Sequence, residues 1–267
     1  MDYVIQFPDG ITSKDVLGMG TTALVARLDA VIKFCDSSQL PMLERERRVY
    51  ERLGDDHDGI LRYHGRVGDA LVLQYACHGS IRQFRADQTK PTPLPLQLRW
   101  IEQITTSVAF IHSKAVLHGD ISCNNVLLMD DLDAKLADFA GSSIDGEEPL
   151  ICYETSHEQP HNTGISTASE LFALGSTFYE IMAGKKPYEG WTVEDIALAY
   201  REGRFPSVEN LPAFGLIIHR CWNQGYESVD ALLKDVKLEG MIFSEAEMLT
   251  SNGFQSLPSP IPLLLAN

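Results

Sequence analysis

The stretch VLHGDISCNNVLL, residues 116–128, sets an Asp and an Asn five positions apart on a loop between two apolar runs. On such a loop the side chains of Asp120 and Asn125 can turn toward one pocket. The Asp can take a proton from a substrate hydroxyl, and the Asn can hold a divalent cation. Ten residues past Leu128, Asp138 follows another apolar run in KLADFAGSS. Nearer the N-terminus, LGMGTTALV places Gly18 and Gly20 two apart just before a strand. There backbone N–H groups can approach phosphates without interference from a Cβ. By themselves two such glycines are more often only a turn.

Lys33 in AVIKF sits on an apolar strand, where a lone cation is costly unless paired. A lysine snorkelling from a strand edge is the ordinary explanation. The helix that follows argues otherwise. Glu46 shares a face with Met42, Val49, Tyr50 and Leu53, at offsets of −4, +3, +4 and +7. A Glu inside an apolar stripe needs a cationic partner, and Lys33 is the obvious one. Glu44 and Glu51 point elsewhere and read as solvated.

The chain of 267 residues is long enough for one large domain or two lobes around a real core. Its apolar fraction of 44% and charged fraction of 22% are those of an ordinary globular protein. A net charge of −15 argues against nucleic acid, whose phosphates it would repel, and permits a basic substrate. The five cysteines, Cys35, Cys77, Cys123, Cys152 and Cys221, are scattered without a C-x-x-C pair, the usage of reduced thiols. The first residues, MDYVIQFPDG, lack the basic and apolar regions of a signal peptide, and no run approaches the ~20 apolar residues of a membrane helix. A cytoplasmic protein with no membrane partner is expected.

These residues need elements to position them. Two β-rich runs, residues 23–28 and 30–34, meet at Leu28 and Asp29 and predict a hairpin. PMLERERRVYERLG predicts a helix, with Pro41 early and Gly54 just past its end. LRYHGRVGDALVLQYA predicts two more strands around Gly68 and Asp69. From Ser80 the pattern turns helical. After a Pro-rich connection over 90–96, an amphipathic helix carries Leu98, Ile101, Ile104, Val108 and Ile111 on one side. Further helices are predicted over 167–182, 192–202 and 211–222. The tail beyond Ile242, ending SLPSPIPLLLAN, is expected to be loosely ordered.

Taken in order, these motifs resemble those of the protein kinases. HGDISCNN is similar to the catalytic loop His-Arg-Asp-x-x-x-x-Asn, LGMGTTALV to the glycine-rich loop with Ala23 for its third Gly, and ADFAG to Asp-Phe-Gly. Lys33, Glu46, Asp120, Asn125 and Asp138 all fall in the family's order. LFALGSTFYEIMAGKKPYEG and the Cys221-Trp222 pair resemble later helices, with Glu170 where an Asp usually caps the first of them. The resemblance implies an α+β, bilobal fold over residues 14–242. Its small β-rich N-lobe with one helix would span about 14–75 and its larger, mostly helical C-lobe about 79–242, with 243–267 as the tail. It further implies the cofactors ATP and Mg²⁺. Lys33 would bind the α- and β-phosphates, Asp120 would be the base, and Asn125 and Asp138 would hold the metal. Val25, Val31 and Leu127 would enclose the adenine beside Gly18 and Gly20. Leu73 would be the gatekeeper, and backbone groups of Gln74 to Ala76 would meet the adenine edge.

Several positions depart from that pattern. Val31 replaces a small Ala and predicts a narrower adenine pocket. Gly119 removes the Arg that pairs with an activation-segment phosphate in many kinases, so activity should not depend on that switch. Ser122 replaces a Lys on the γ-phosphate, and a hydroxyl cannot supply that charge. HEQP, residues 157–160, stands near the place of Ala-Pro-Glu, and that Glu's usual Arg partner is not evident in CWNQGYESVD. The leading expectation is an ATP-dependent protein kinase acting on Ser or Thr of an unidentified protein substrate. A pseudokinase that binds a partner without turnover is the alternative. His-Gly-Asp also resembles the aminoglycoside and choline kinase group, although ADFAG and the Gly-Ser-Thr-x-Tyr-Glu helix favour the protein kinases.

Overall fold

The N-terminal strands divide between two small sheets. The computed structural model describes residues 13–19, 23–150, 153–160 and 164–251. After a single 3₁₀ turn, β1 (Val16–Met19) pairs antiparallel with β2 (Leu24–Ala26). β3 (Ala30–Lys33) leads into α1 (Leu40–Leu53), then β4 (Tyr63–Val67) and β5 (Ala70–Gln74). β3, β5 and β4 form an antiparallel sheet in that order. The predicted β2–β3 hairpin is therefore absent. The connection is pulled two ways, by Arg27 N–H on the Asp15 carbonyl (2.8 Å) and Tyr75 N–H on the Asp29 carbonyl (3.1 Å). β3 then takes its ladder from β5, whose Leu71 and Leu73 are buried. The β4–β5 hairpin around Gly68 and Asp69 forms as expected.

α1 begins one residue before Pro41 and ends on Gly54, which caps it by donating to the Tyr50 carbonyl (2.9 Å). It buries Leu43, Arg45, Glu46, Val49, Tyr50 and Leu53. Glu44 and Glu51 both pair with Arg47 on the exposed side.

The larger part begins with α2 (Ile81–Asp87) and α3 (Leu94–Ser113). Ser80 and Gln83 close a reciprocal capping box on α2, with bonds of 3.2 and 2.9 Å, worth roughly 1 kcal/mol. Short strands β6 (Val116–Leu117), β7 (Val126–Leu128), β8 (Ala134–Leu136) and β9 (Ser143–Ile144) pair as β6–β9 and β7–β8. The helices α4 (Thr167–Ala183), α5 (Val193–Arg201), α6 (Gly215–Trp222) and α7 (Val229–Ser251) complete the unit. α4 is buried on every side over residues 169–182, the signature of a helix at the centre of a core. Its Gly175 lets α6 approach, since a Cβ there would lie 2.6 Å from Cβ of Cys221. Trp222 donates its indole N–H to Ser176 Oγ (3.0 Å) across the same interface.

α7 packs along α3 and continues through Ser251, past the boundary expected at residue 242. Residues 252–267 of the expected tail lie outside the described residues. The fold is thus a strand-rich N-terminal region joined to a helical C-terminal part. Among the described residues no helix is long and apolar enough to cross a membrane.

Candidate active site

The cleft between the two regions has an apolar wall. Val31, Lys33, Leu73, Gln74, Ala76 and Leu127 converge on it, together with Ile32, Phe34, Leu61 and Tyr75. Its volume of about 500 Å³ is within the usual range of small-molecule sites, so Val31 does not close it. Two backbone donors at the edge of this cleft are engaged elsewhere. Gln74 N–H donates to the Arg62 carbonyl (2.9 Å), and Tyr75 N–H to that of Asp29. Of the predicted Gln74-to-Ala76 backbone contacts, those two N–H groups are not open to a ligand. Gly18 and Val25 do not line the cavity, and Val25 is 61% exposed on β2. Gly20 lies outside the described residues.

At the inner end of the wall the Lys33 ammonium sits between two carboxylates. Its Nζ lies 2.6 Å from Oε2 of Glu46 and 2.8 Å from Oδ1 of Asp138. The Asp138 contact is a directed hydrogen bond, while the Glu46 contact is an ion pair without that alignment. Burial alone would lower the Lys33 pKa, but the two negative charges raise it. Glu46 is fully buried, and desolvation pushes its carboxyl up to about 6 despite the lysine. For Asp138, burial is outweighed by the Lys33 charge, and its carboxyl is held below the usual range.

Asp138 has a left-handed backbone, φ 63°, which a non-glycine residue adopts at a cost of roughly 1–2 kcal/mol. This turn sends the next side chain inward. Phe139 is fully buried, edge-on to Tyr50 of α1 (5.2 Å between centroids) and against His118 (5.0 Å). The three rings connect α1 to the loop that carries Asp120.

That loop is held by buried bonds. Asn125 Nδ2 donates to the Asp120 carbonyl and to Oδ2, both at 2.7 Å. Burial raises the Asp120 pKa and makes it a better proton acceptor. His118 Nδ1 accepts from Asp120 N–H (3.2 Å), and its Nε2 lies 2.9 Å from the Ala137 carbonyl. Glu170, fully buried on α4, accepts from the N–H groups of His118 (3.0 Å) and Gly119 (2.8 Å). It also accepts from the Tyr153 hydroxyl (3.0 Å) and pairs with His112 (2.9 Å). Glu170 was expected to cap α4. The cap is instead Ser166, whose Oγ accepts from Ser169 N–H (3.1 Å). The roles of His118 and Tyr153 were missed; the only trace was polar residues placed among apolar ones.

Gly119 also has a left-handed backbone, φ 81°, and a Cβ there would fall 2.1 Å from Cδ1 of Ile165. Ser122 is buried, its Oγ accepting from Asn124 N–H (3.3 Å), so no cation stands at that position. Around the HEQP segment, His157 is buried and its pKa is depressed to about 4 by desolvation. Beside this segment Arg82 of α2 reaches two acids. It binds Glu154 (2.6 Å) and Glu180 (2.8 Å), and Lys186 joins Glu154 at 3.3 Å.

Residues 24–229 match the family model described as protein tyrosine and serine/threonine kinase. A probable serine/threonine-protein kinase of Dictyostelium discoideum is 30% identical over 62% of this chain and 35% of its own length. A probable LIM domain-containing serine/threonine-protein kinase of the same organism is 26% identical over 78% of this chain and 35% of its own length. The serine/threonine-protein kinase PLK4 of Xenopus tropicalis is 26% identical over 68% of this chain and 22% of its own length. The chain thus spans about a third or less of these relatives.

Proposed function

The chain belongs to the protein tyrosine and serine/threonine kinase family, and on that premise we propose that it transfers the γ-phosphate of ATP to Ser or Thr hydroxyls of a protein substrate. The observation that carries this reading is Lys33 held between Glu46 and Asp138 at the inner end of an apolar cleft. The Ser/Thr preference draws on the names of the similar proteins.

In this reading the apolar wall takes the adenine and Lys33 takes the phosphates. Asp138 and Asn125 supply oxygen donors for the metal; the Asn125 amide nitrogen is the atom engaged with Asp120. Among the described residues no group of three or more His, Cys, Asp or Glu converges on one point. A single carboxylate and an amide oxygen are the hard oxygen donors that would suit Mg²⁺. When bound, Mg²⁺ offsets the charge that develops on the transferring phosphoryl group. Asp120 then accepts the proton of the acceptor hydroxyl. We place the catalytic unit over residues 14–242, in a cytoplasmic protein without nucleic-acid or membrane partners.

Labelled γ-phosphate offered as Mg-ATP with a protein mixture, followed by phosphoamino-acid analysis, tests this. Label in phosphoserine and phosphothreonine is expected, and label in phosphotyrosine alone would overturn the acceptor class. A second reading, a nucleotide-binding pseudokinase, draws on the buried Ser122, which leaves the γ-phosphate without a loop cation. Mg-ATP binding with no transfer would favour it.

A further inference from the structure

α1 presents Glu46 to the cleft and three arginines to a different neighbour. Arg45, Arg48 and Arg52 recur at the spacing of one helix face, and each reaches the segment that follows Asp138. Arg45, itself buried, donates to the carbonyls of Ser142 and Glu148 (3.1 Å for the latter), and its Nη2 lies 3.1 Å from Oε2 of Glu147. Arg48 grips the same carboxylate with both terminal nitrogens, Nη1 at 3.0 Å from Oε2. Arg52 binds Asp145 with bonds of 2.8 and 2.6 Å.

The segment is fixed from its other side too. β9 pairs with β6, Ser142 Oγ donates to the His118 carbonyl (2.9 Å), and Asp145 N–H donates to that of Ala115 (2.9 Å). The acids are therefore attached to the catalytic loop and the arginines to the helix that carries Glu46.

We propose that Asp145 and Glu147 form a permanent clamp on α1, which keeps Glu46 on Lys33 without any activating phosphate. A phosphoryl group carries about −1.5 to −2 charge at neutral pH and is gripped by arginines in bidentate fashion. The two carboxylates supply a comparable charge on comparable partners, built into the chain. Gly119 is consistent with this. The position that would contribute a catalytic-loop cation to a phosphate has no side chain, and Ile165 occupies the space. Arg48 and Glu147 are positioning residues in this account, and its catalytic consequence rests on the phosphotransfer reading above.

The test is hydrogen exchange of α1 amides, residues 40–53, in the full chain after phosphatase treatment. Wild type should show these amides protected. Glu147→Lys should raise their exchange about three- to tenfold, while Glu147→Asp should stay within about twofold of wild type. Raising salt to about 0.5 M should shift the wild type toward the Lys variant, because the pairs are partly exposed. Glu147→Gln, which removes the charge without reversing it, should give an intermediate rise and serves where the Lys variant does not fold. Unchanged α1 exchange in both the Lys and Gln variants would overturn the clamp. So would α1 amides that become protected only after phosphorylation. Exchange is read without turnover, so a chain that transfers no phosphate fails the catalytic reading and leaves the clamp to be judged on its own.

Discussion

Lys33 Nζ hydrogen-bonds Oδ1 of Asp138 at 2.8 Å, although the two residues are 105 apart in sequence. The bond joins β3 of the N-terminal sheet to the segment after β8. It closes the cleft floor on the same ammonium that Glu46 neutralises from α1. Each of the two acids constrains the other through this shared cation, and their different burial gives them different pH behaviour.

Glu46 provides the first prediction. Its carboxyl titrates near 6 in the folded chain because burial outweighs the lysine. Raised above its unfolded value, this group contributes stability that is fully present below about 4.5 and lost as pH rises through about 6. In the proposed function the dependence runs the other way, since only the ionised carboxylate can pair with the Lys33 ammonium. Mg-ATP binding by calorimetry should weaken progressively from pH 7 to pH 5. Glu46→Gln should bind at least about tenfold more weakly while melting no lower than wild type at pH 8, because the cost of a buried charge, on the order of 2 kcal/mol, is removed. Pair loss that lowers the melting temperature instead would show that Glu46 is net stabilising.

Glu170 should behave in the opposite sense. Burial alone would raise its pKa, but His112, His118 and the Gly119 N–H together hold it below the usual range. Its stability contribution is present above about 4.5 and lost as pH falls through the depressed folded value. Glu170→Ala leaves the His118 and Gly119 N–H groups and the Tyr153 hydroxyl without their acceptor, and should cost about 2–4 kcal/mol in urea denaturation. A loss under 1 kcal/mol would mean that water replaces the carboxylate freely.

Gly119→Ala should destabilise the chain by about 1–3 kcal/mol, most of it from the left-handed backbone. The clashing atom is the far end of a flexible isoleucine, which can move aside. Ile165→Ala combined with Gly119→Ala should therefore recover little of the loss. Full recovery in the double variant, read by thermal melting, would assign the cost to the clash.

Two members of this site were legible from residue types because each violated a local rule, whereas the roles of Asp120, Asn125 and Asp138 came with the resemblance to the kinase motifs. Lys33 on an apolar strand and Glu46 in an apolar stripe are charges that demand a partner, and they found each other. Asp120 and Asn125 meet through a local bond across five residues. The clamp was invisible for the converse reason. Arg48 and Glu147 each look like ordinary solvated charges, and nothing local connects residues 99 apart. The failed β2–β3 hairpin has a similar cause, since strand pairing is decided by which partner is buried. Alternation within β3 could not reveal that β5 would outcompete β2. For Glu170 the resemblance implied only a cap at the start of α4, because its targets on the distant loop depend on tertiary packing.

The most direct measurement is the initial rate of γ-phosphate transfer from Mg-ATP to protein for the wild type, Asp120→Asn and Asp138→Ala. Measurable transfer by the wild type is expected, with a fall of about 10²–10⁴-fold in Asp120→Asn while Mg-ATP binding is retained, and loss of both binding and transfer in Asp138→Ala. A wild-type chain that binds Mg-ATP and transfers nothing, or an Asp120→Asn variant as fast as wild type, would contradict the proposed function.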